Sequence, residues 1–150
     1  MEANNWKLYA HKLFVDQLIK LVDEVDELRR SDPSGYESHP KTKFLATINR
    51  LIRQTVPEDP TSPEYRQGNT LGRTNKHWFR AKFHRRYRLF FRFSTQHRMI
   101  IYVWLNDEKT LRKAGAKTDP YFIFQNMLKS GNPPQNFEQL LKKSISLEEE

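Results

Sequence analysis

Cysteine is absent from the 150 residues of the chain. Its absence excludes disulfides, thiolate metal ligands and a cysteine nucleophile, and it is compatible with a reducing compartment. Long apolar runs are missing as well, since no stretch approaches the roughly 20 residues that a membrane-spanning helix needs. The first five residues lack the charged start and apolar core of a secretory signal. We therefore expect a cytoplasmic protein without a membrane partner.

Negative charge is missing from the middle of the chain. No Asp or Glu occurs between Glu64 and Asp107. The same stretch contains ten basic residues: Arg66, Arg73, Lys76, Arg80, Lys82, Arg85, Arg86, Arg88, Arg92 and Arg98. The whole chain has 26 Lys and Arg against 18 Asp and Glu, a formal charge of +8. One basic region free of acids predicts a polyanionic partner such as a nucleic acid.

The hydrophobic periodicity predicts an α+β fold in one domain, 1–150. Apolar residues recur at helical spacing over Lys12–Arg30 and Pro40–Thr55, which predicts a helical hairpin packed on a sheet. The predicted strands are Trp6–Tyr9, His77–Phe83, Tyr87–Ser94 and Met99–Asn106, of which the last three form an antiparallel meander. Two C-terminal helices are predicted, Pro120–Lys129 and one containing Phe137, Leu140, Leu141 and Ile145, before an acidic tail.

One connecting segment has a weaker pattern. The proline- and glycine-containing connection Val56–Asn75 is long for a compact domain, which indicates that it is either functional or mobile. Its Gly68–Arg73 lacks the ending of a phosphate-binding nucleotide loop and is interpreted as a turn.

Alternation along the strands predicts one basic sheet face. Phe79, Ala81 and Phe83 share a face of the first meander strand, and Arg80, Lys82 and His84 share the other. In the second strand the core set is Tyr87, Leu89, Phe91 and Phe93, and the opposite set is Arg86, Arg88, Phe90 and Arg92. The register that buries both apolar sets groups Arg80, Lys82, Arg88 and Arg92. The alternative is a solvated outer face without a ligand.

A clustered basic face suits a phosphodiester, because Arg contacts phosphate oxygens in pairs and Lys supplies a point charge. RNA provides its own nucleophile, the 2′-hydroxyl, so positive groups around the phosphate can catalyse cleavage without a metal or cofactor. Phe90, Tyr102 and Trp104 are candidates for stacking on unpaired bases, although packing is the favoured interpretation of Trp104. The three histidines at 77, 84 and 97 lack the spacing of a metal site.

The segment Trp78–Phe93 resembles the central hairpin of RelE-superfamily toxins, which have an Arg/Lys-x-Lys strand, a turn and then Tyr-Arg-Leu. The continuation is closely similar to the YhaV toxins, partners of the PrlF antitoxin, at Val103–Arg112, Lys117–Tyr121 and Met127–Pro134. The similarity extends to the start of the chain at Trp6–His11. The resemblance implies a RelE-like fold and a type II toxin that cleaves mRNA without metal, on the ribosome or free.

The resemblance also implies partners and site residues. A PrlF-type antitoxin would neutralise the protein, and the complex would bind operator DNA and repress its own operon. By motif position the catalytic set is Arg80, Lys82, Arg88, Arg112 and Tyr121. In this hypothesis Arg80 and Arg88 hold the scissile phosphate, Lys82 assists the 2′-hydroxyl, and Arg112 or Tyr121 serves the leaving oxygen. The residues predicted to bind flanking RNA are Arg85, Arg86, Arg92 and His84.

Three alternatives stay open at this point. The second hypothesis is a non-catalytic RNA- or ribosome-binding module, and the third is an interaction protein whose basic face docks an acidic partner. Tyr121 is equally well explained as a core aromatic at a helix start. Asn106 and Asp107 are interpreted as caps of the following turn.

Overall fold

The computed structural model describes residues 1–147, so the predicted acidic tail lies outside the described residues. The strands are β1 (Glu2–Ala3), β2 (Trp6–His11), β3 (Phe79–Phe83), β4 (Tyr87–Ser94), β5 (Met99–Leu105) and β6 (Ser144–Ser146). The helices are α1 (Lys12–Ser31), α2 (Pro40–Arg50), the single turn α3 (Val56–Glu58), α4 (Pro120–Ser130) and α5 (Phe137–Lys142). A π-helical turn, Leu51–Thr55, joins α2 to α3.

The strands form a mixed, mainly antiparallel sheet. Its order is β1-β2-β5-β4-β3, with β6 added to β2. The meander β3–β4–β5 is antiparallel as predicted, and β2 runs parallel to β5. A helical hairpin and C-terminal helices accompany the sheet, so the predicted α+β class is confirmed.

The first face of the sheet, which we call the hairpin face, packs on α1 and α2. Its buried strand residues include Leu89 and Phe91 of β4, as the alternation predicted. Phe14 of α1 and Ile48 of α2 cover them. Tyr102 of β5 belongs to this core, and its hydroxyl donates to the Ile52 carbonyl over 2.7 Å. This apolar layer fixes the strand register, because a shift by one residue would bury charged side chains.

The second face, which we call the site face, is covered by α4 and α5 over only part of its area. Phe124 of α4 stacks on Phe90 with ring centroids 4.4 Å apart. A β-bulge in the β4–β5 ladder pairs Phe90 with Trp104 but Phe91 with Tyr102. Val103 is the additional residue, and the bulge turns both Val103 and Trp104 towards this second core. The C-terminal helices therefore cover the middle of the site face. Polar groups occupy its end near the turn between β3 and β4.

The C-terminal end corrects one prediction. Ile145 is not in the last helix, because α5 ends at Lys142 and residues Ser144–Ser146 pair with β2 instead. The Ile145 side chain is exposed. Hydrogen bonding to a free strand edge replaced the helical continuation that the apolar spacing indicated. The short strand β1 was not predicted either.

The long connection between α3 and β3 is a packed loop. Tyr65 and Leu71 are buried, and the buried Gln67 bridges the loop through the Asn75 carbonyl at 2.8 Å and the Leu71 amide at 3.1 Å. Gly68–Arg73 is a turn, as predicted. The loop borders β3 through a bridge between Arg66 and Phe79.

None of the helices in residues 1–147 is both long and apolar enough to cross a membrane.

Candidate active site

Arg80 of β3 and Arg88 of β4 converge on one hydroxyl group. The Arg80 Nε donates to Tyr121 Oη over 2.8 Å, and the Arg88 Nε donates to the same oxygen over 3.0 Å. The two arginines are only 8% and 7% exposed. Alternation places both on the site face, and Tyr121 arrives from the first turn of α4.

Backbone carbonyls fix the other sides of these guanidinium groups. Arg80 Nη1 donates to the Glu64 carbonyl over 2.7 Å. Arg88 Nη1 donates to the carbonyls of Arg85 and Tyr87 over 3.0 Å and 2.9 Å. Because bidentate anion binding depends on guanidinium orientation, these acceptors prepare both groups for a ligand before it arrives.

Each guanidinium keeps one nitrogen available. Within residues 1–147, the Nη2 atoms of Arg80 and Arg88 have no hydrogen-bond acceptor, and neither atom is sealed from solvent. No carboxylate of the described residues forms an ion pair with either arginine. The free nitrogens are therefore donors for an external anion.

Tyr121 is held from three sides. Asp119 caps α4 by accepting the Tyr121 amide over 3.0 Å, and Pro120 occupies the first helical position. The phenol ring meets Phe90 edge to face at 5.6 Å. Arg112 places its guanidinium carbon 4.6 Å from the ring centroid. Tyr121 is thus a buried core aromatic whose hydroxyl also contacts Arg80 and Arg88. Its interpretation as a core residue is therefore compatible with its interpretation as a site residue.

Arg112 joins the cluster through Asp119. Its Nη1 lies 2.8 Å from Asp119 Oδ1, which also accepts the Lys113 amide over 2.7 Å. Asp119 is only 3% exposed, and its negative charge is committed to Arg112 and to the helix start. We call Arg80, Arg88, Arg112 and Tyr121 the guanidinium cluster.

Lys82 borders the guanidinium cluster from β3. It is paired with Arg88 in the register, and it shares the site face with Arg80. Its side chain is exposed. The predicted grouping of Arg80, Lys82 and Arg88 on one face is confirmed.

His84, by contrast, was placed incorrectly, whereas Arg92 lies on the site face as predicted but away from the other basic residues. His84 follows the end of β3 and adopts φ +44°, so its ring turns to the hairpin face and contacts Phe44 and Thr47 of α2. Arg92 lies four residues from Arg88 along β4, which is roughly 13 Å. It is flanked by Trp78 and Phe137 at 5.2 Å and 5.5 Å, and its burial lowers the pKa to about 10. Their roles in RNA binding stay predictions.

The stacking residues proposed from the sequence are mostly unavailable. Phe90 and Tyr102 are fully buried, and Tyr102 belongs to the hairpin face because of the bulge and register. Trp104 packs against Phe124 with centroids 5.8 Å apart, as its favoured interpretation predicted.

The turn between β3 and β4 has a strained backbone. His84 and Arg85 both have positive φ, +44° and +66°, although neither is glycine. This conformation costs roughly 1–2 kcal/mol per residue. The same turn presents the Arg85 carbonyl to Arg88, and it leaves the Arg85 and Arg86 side chains exposed beside the cluster.

Several site residues were not predicted as such. Asn106 accepts the Arg88 amide over 2.7 Å and donates to the Arg86 and Thr110 carbonyls, so it fixes the strand rather than capping a turn. Asp107 does cap the turn, through Lys109. Asp119 had one detectable signal, since Asp before Pro at a helix start is typical of an N-cap. The described residues contain no group of three or more potential metal ligands.

The class of the protein follows from comparison with known families. A family model described as a toxin with endonuclease activity, of a toxin–antitoxin system, matches residues 8–145. A basic site in which Arg80 and Arg88 have no carboxylate partner within residues 1–147, on an α+β fold, agrees with such an activity.

The relatives give the particular family. The chain is 45% identical over 144 residues to the ribonuclease toxin YhaV of Escherichia coli K12, covering 95% of this chain and 94% of the relative. The toxin YhaV of Escherichia coli O157:H7 matches to the same extent. No solved structure matches. The chain belongs to the YhaV toxin family, and the predicted class, an endonuclease toxin of a toxin–antitoxin system, is confirmed.

Proposed function

We propose that the protein is a metal-independent endoribonuclease that cuts mRNA at the guanidinium cluster. The observation that supports this most directly is the pair of buried arginines that share the Tyr121 hydroxyl and present their Nη2 atoms to solvent. Donors fixed before the reaction stabilise charge that develops on a phosphate in the transition state.

The chemistry uses the substrate's own hydroxyl. The 2′-oxygen attacks phosphorus as its proton leaves, the bond from phosphorus to the 5′-oxygen breaks, and that oxygen takes up a proton. The products are a 2′,3′-cyclic phosphate and a 5′-hydroxyl end. Arg80 and Arg88 hold the non-bridging oxygens, where bidentate contacts are strongest.

The remaining cluster residues serve the proton transfers. Lys82, exposed beside Arg88, favours loss of the 2′ proton. Tyr121 accepts two hydrogen bonds from the arginines, and its own O–H has no acceptor within residues 1–147, so it can donate to the leaving oxygen. Arg112 positions Tyr121 through its contact with the ring.

The exposed turn supports binding of flanking RNA. Arg85 and Arg86 are exposed next to Arg88 and can neutralise neighbouring phosphates. His84 and Arg92 lie farther from the cluster and would contact more distant nucleotides. Binding through these residues should weaken steeply with salt concentration.

The biological setting is proposed from the family. An antitoxin of the PrlF type would neutralise the protein, and the toxin–antitoxin complex would bind operator DNA. The substrate would be mRNA in the cytoplasm, free or on the ribosome.

The test is cleavage of a labelled single-stranded RNA by the purified protein in the presence of a chelator. Arg88→Lys keeps the positive charge but loses the bidentate geometry, so the cleavage rate should fall about 10²–10³-fold, the usual effect of removing one oxyanion donor. Replacing the scissile ribose by its 2′-deoxy form should abolish cutting at that bond.

Arg29→Lys is the matched control, because Arg29 is an exposed arginine of α1 paired with Asp26. It should cleave at the wild-type rate. Folded Arg88→Lys protein with undiminished activity would overturn the proposed site. Wild-type protein that binds RNA but yields no fragments would instead indicate an RNA-binding module.

A further inference from the structure

A small cavity adjoins the guanidinium cluster on the side of Tyr121. Its volume is about 310 Å³, and it is open to solvent. This is at the small end of the roughly 300–1,000 Å³ typical of ligand pockets. The lining residues that matter for its chemistry are Thr70, Arg112, Lys117, Tyr121, Phe122 and Gln125.

Phe122 supplies an exposed aromatic surface in this cavity. It follows Tyr121 in the first turn of α4, and it is 43% exposed although the rest of that helix buries its rings at positions 121 and 124. An exposed ring beside a phosphate-binding cluster is a platform on which an unpaired base can stack.

Gln125 supplies a polar group that can read a base edge. It lies three residues after Phe122, so both side chains are on neighbouring positions of one helix face. Its amide has no hydrogen-bond partner within residues 1–147 and is not sealed from solvent. The amide offers a donor and an acceptor side by side, the pair that a base edge can match.

The loop residue nearest to this amide leaves room for it. Gly72 has φ +91°, and a Cβ at that position would lie 3.2 Å from Gln125 Nε2. A larger residue at position 72 would therefore displace the amide. The charges around the cavity favour a nucleotide, because Lys117 and Arg112 are cationic and Asp119, the one carboxylate that residues 1–147 contribute to the lining, is paired with Arg112.

We infer that this cavity is a subsite for one unpaired nucleobase of the RNA, that of the nucleotide on the leaving-group side of the cut. Phe122 stacks on the base and Gln125 hydrogen-bonds to its edge. The assignment of the side rests on the proposed function, in which Tyr121 protonates the leaving 5′-oxygen.

The experiment measures cleavage of a pool of RNAs with random bases around the cut, with sequencing of the fragment ends. Wild type should show a base preference at the position 3′ of the cut. Gln125→Ala should flatten this preference, and Phe122→Ala should raise KM about tenfold while kcat changes little. Asn126→Ala, an exposed amide next to Gln125 that does not line the cavity, should keep the wild-type profile.

The outcomes separate the two proposals. If wild type cuts RNA and both Phe122→Ala and Gln125→Ala keep its KM and base profile, the subsite is overturned and the active site stands. If wild type does not cut RNA at all, the proposed function fails. Circular dichroism of each variant confirms folding, which should be intact because both side chains are solvent-accessible.

Discussion

The two faces of the meander use the same strands for different purposes. On the hairpin face, Leu89 and Phe91 of β4 are fully buried under two helices. On the site face, Phe90 between them is buried under α4, whereas Arg88 two residues earlier ends in a polar cluster. One strand can therefore contribute to a continuous apolar core on one face. On the other face, its apolar core ends before Arg88, which belongs to the guanidinium cluster.

The contrast also concerns what each face contributes to stability. Buried apolar area on the hairpin face stabilises the fold, whereas like charges on adjacent strands and buried guanidinium groups oppose it. The site face reduces that cost with uncharged acceptors, the carbonyls of Glu64, Arg85 and Tyr87 and the Tyr121 hydroxyl. Carboxylates would neutralise the arginines more completely, but they would compete with a phosphate for the same donors.

The largest change in the free energy of unfolding is expected from truncating a buried ring on the hairpin face. Phe91→Ala removes a fully buried ring that contacts Tyr65 and Phe79, so the free energy of unfolding should fall by about 3–5 kcal/mol. Urea unfolding monitored by circular dichroism measures this change. Ile19→Ala, which truncates an exposed side chain of α1, should stay within about 0.5 kcal/mol of wild type. A similar loss in both variants would mean that the hairpin face does not dominate stability.

Sequence alternation correctly predicts which face of the sheet the side chains of β3 and β4 occupy. The period of two in β3 and β4 was sufficient to place Arg80, Lys82 and Arg88 on one face, because the apolar residues between them determine the register. The same rule failed for His84, since the strand ends one residue earlier and a positive φ reverses the side chain. Alternation holds only inside a strand, and the sequence does not mark the end of this one with a glycine.

Other site features depend on contacts that periodicity does not encode. The Glu64 carbonyl reaches Arg80 from a loop 16 residues away, and Tyr121 is 33 residues from Arg88. The motif resemblance indicated Tyr121 and Arg112, but it did not indicate that Asp119 connects them. The bulge at Val103, which orients Trp104 towards α4, has no signature in a uniformly apolar strand.

A smaller effect is expected from Asp119, which is the one carboxylate within residues 1–147 that contacts the guanidinium cluster. Asp119→Ala removes the cap of α4 and the partner of Arg112, so the free energy of unfolding should fall by about 2 kcal/mol. Asp119→Asn keeps an acceptor for the helix start and should recover roughly half of that loss. Thermal unfolding of the two variants under equal conditions measures the difference. If Asp119→Ala is as stable as wild type, the contacts of Asp119 contribute nothing to holding α4 on the sheet.

The smallest effect is expected from two histidines whose pKa values are lowered, His11 and His77. Burial, together with Lys143, lowers the pKa of His11 at the start of α1, and burial, together with Arg92, lowers the pKa of His77 before β3. Below the ordinary value of 6.5 the unfolded chain then takes up protons that the folded protein does not. The free energy of unfolding should therefore decrease as the pH falls from about 7 to about 5.

His11→Asn isolates the contribution of the histidine that caps α1. His11 Nδ1 accepts the Leu13 amide over 3.1 Å as the cap of α1, and asparagine can accept the same amide but does not titrate. The variant should lose less stability than wild type over this pH range, with the slope from His77 retained, as urea unfolding at several pH values will measure. Gln96→Asn, a polar replacement in an exposed turn that removes no titratable group, should keep the wild-type slope. If the His11→Asn slope equals that of wild type, burial of His11 has no part in acid destabilisation.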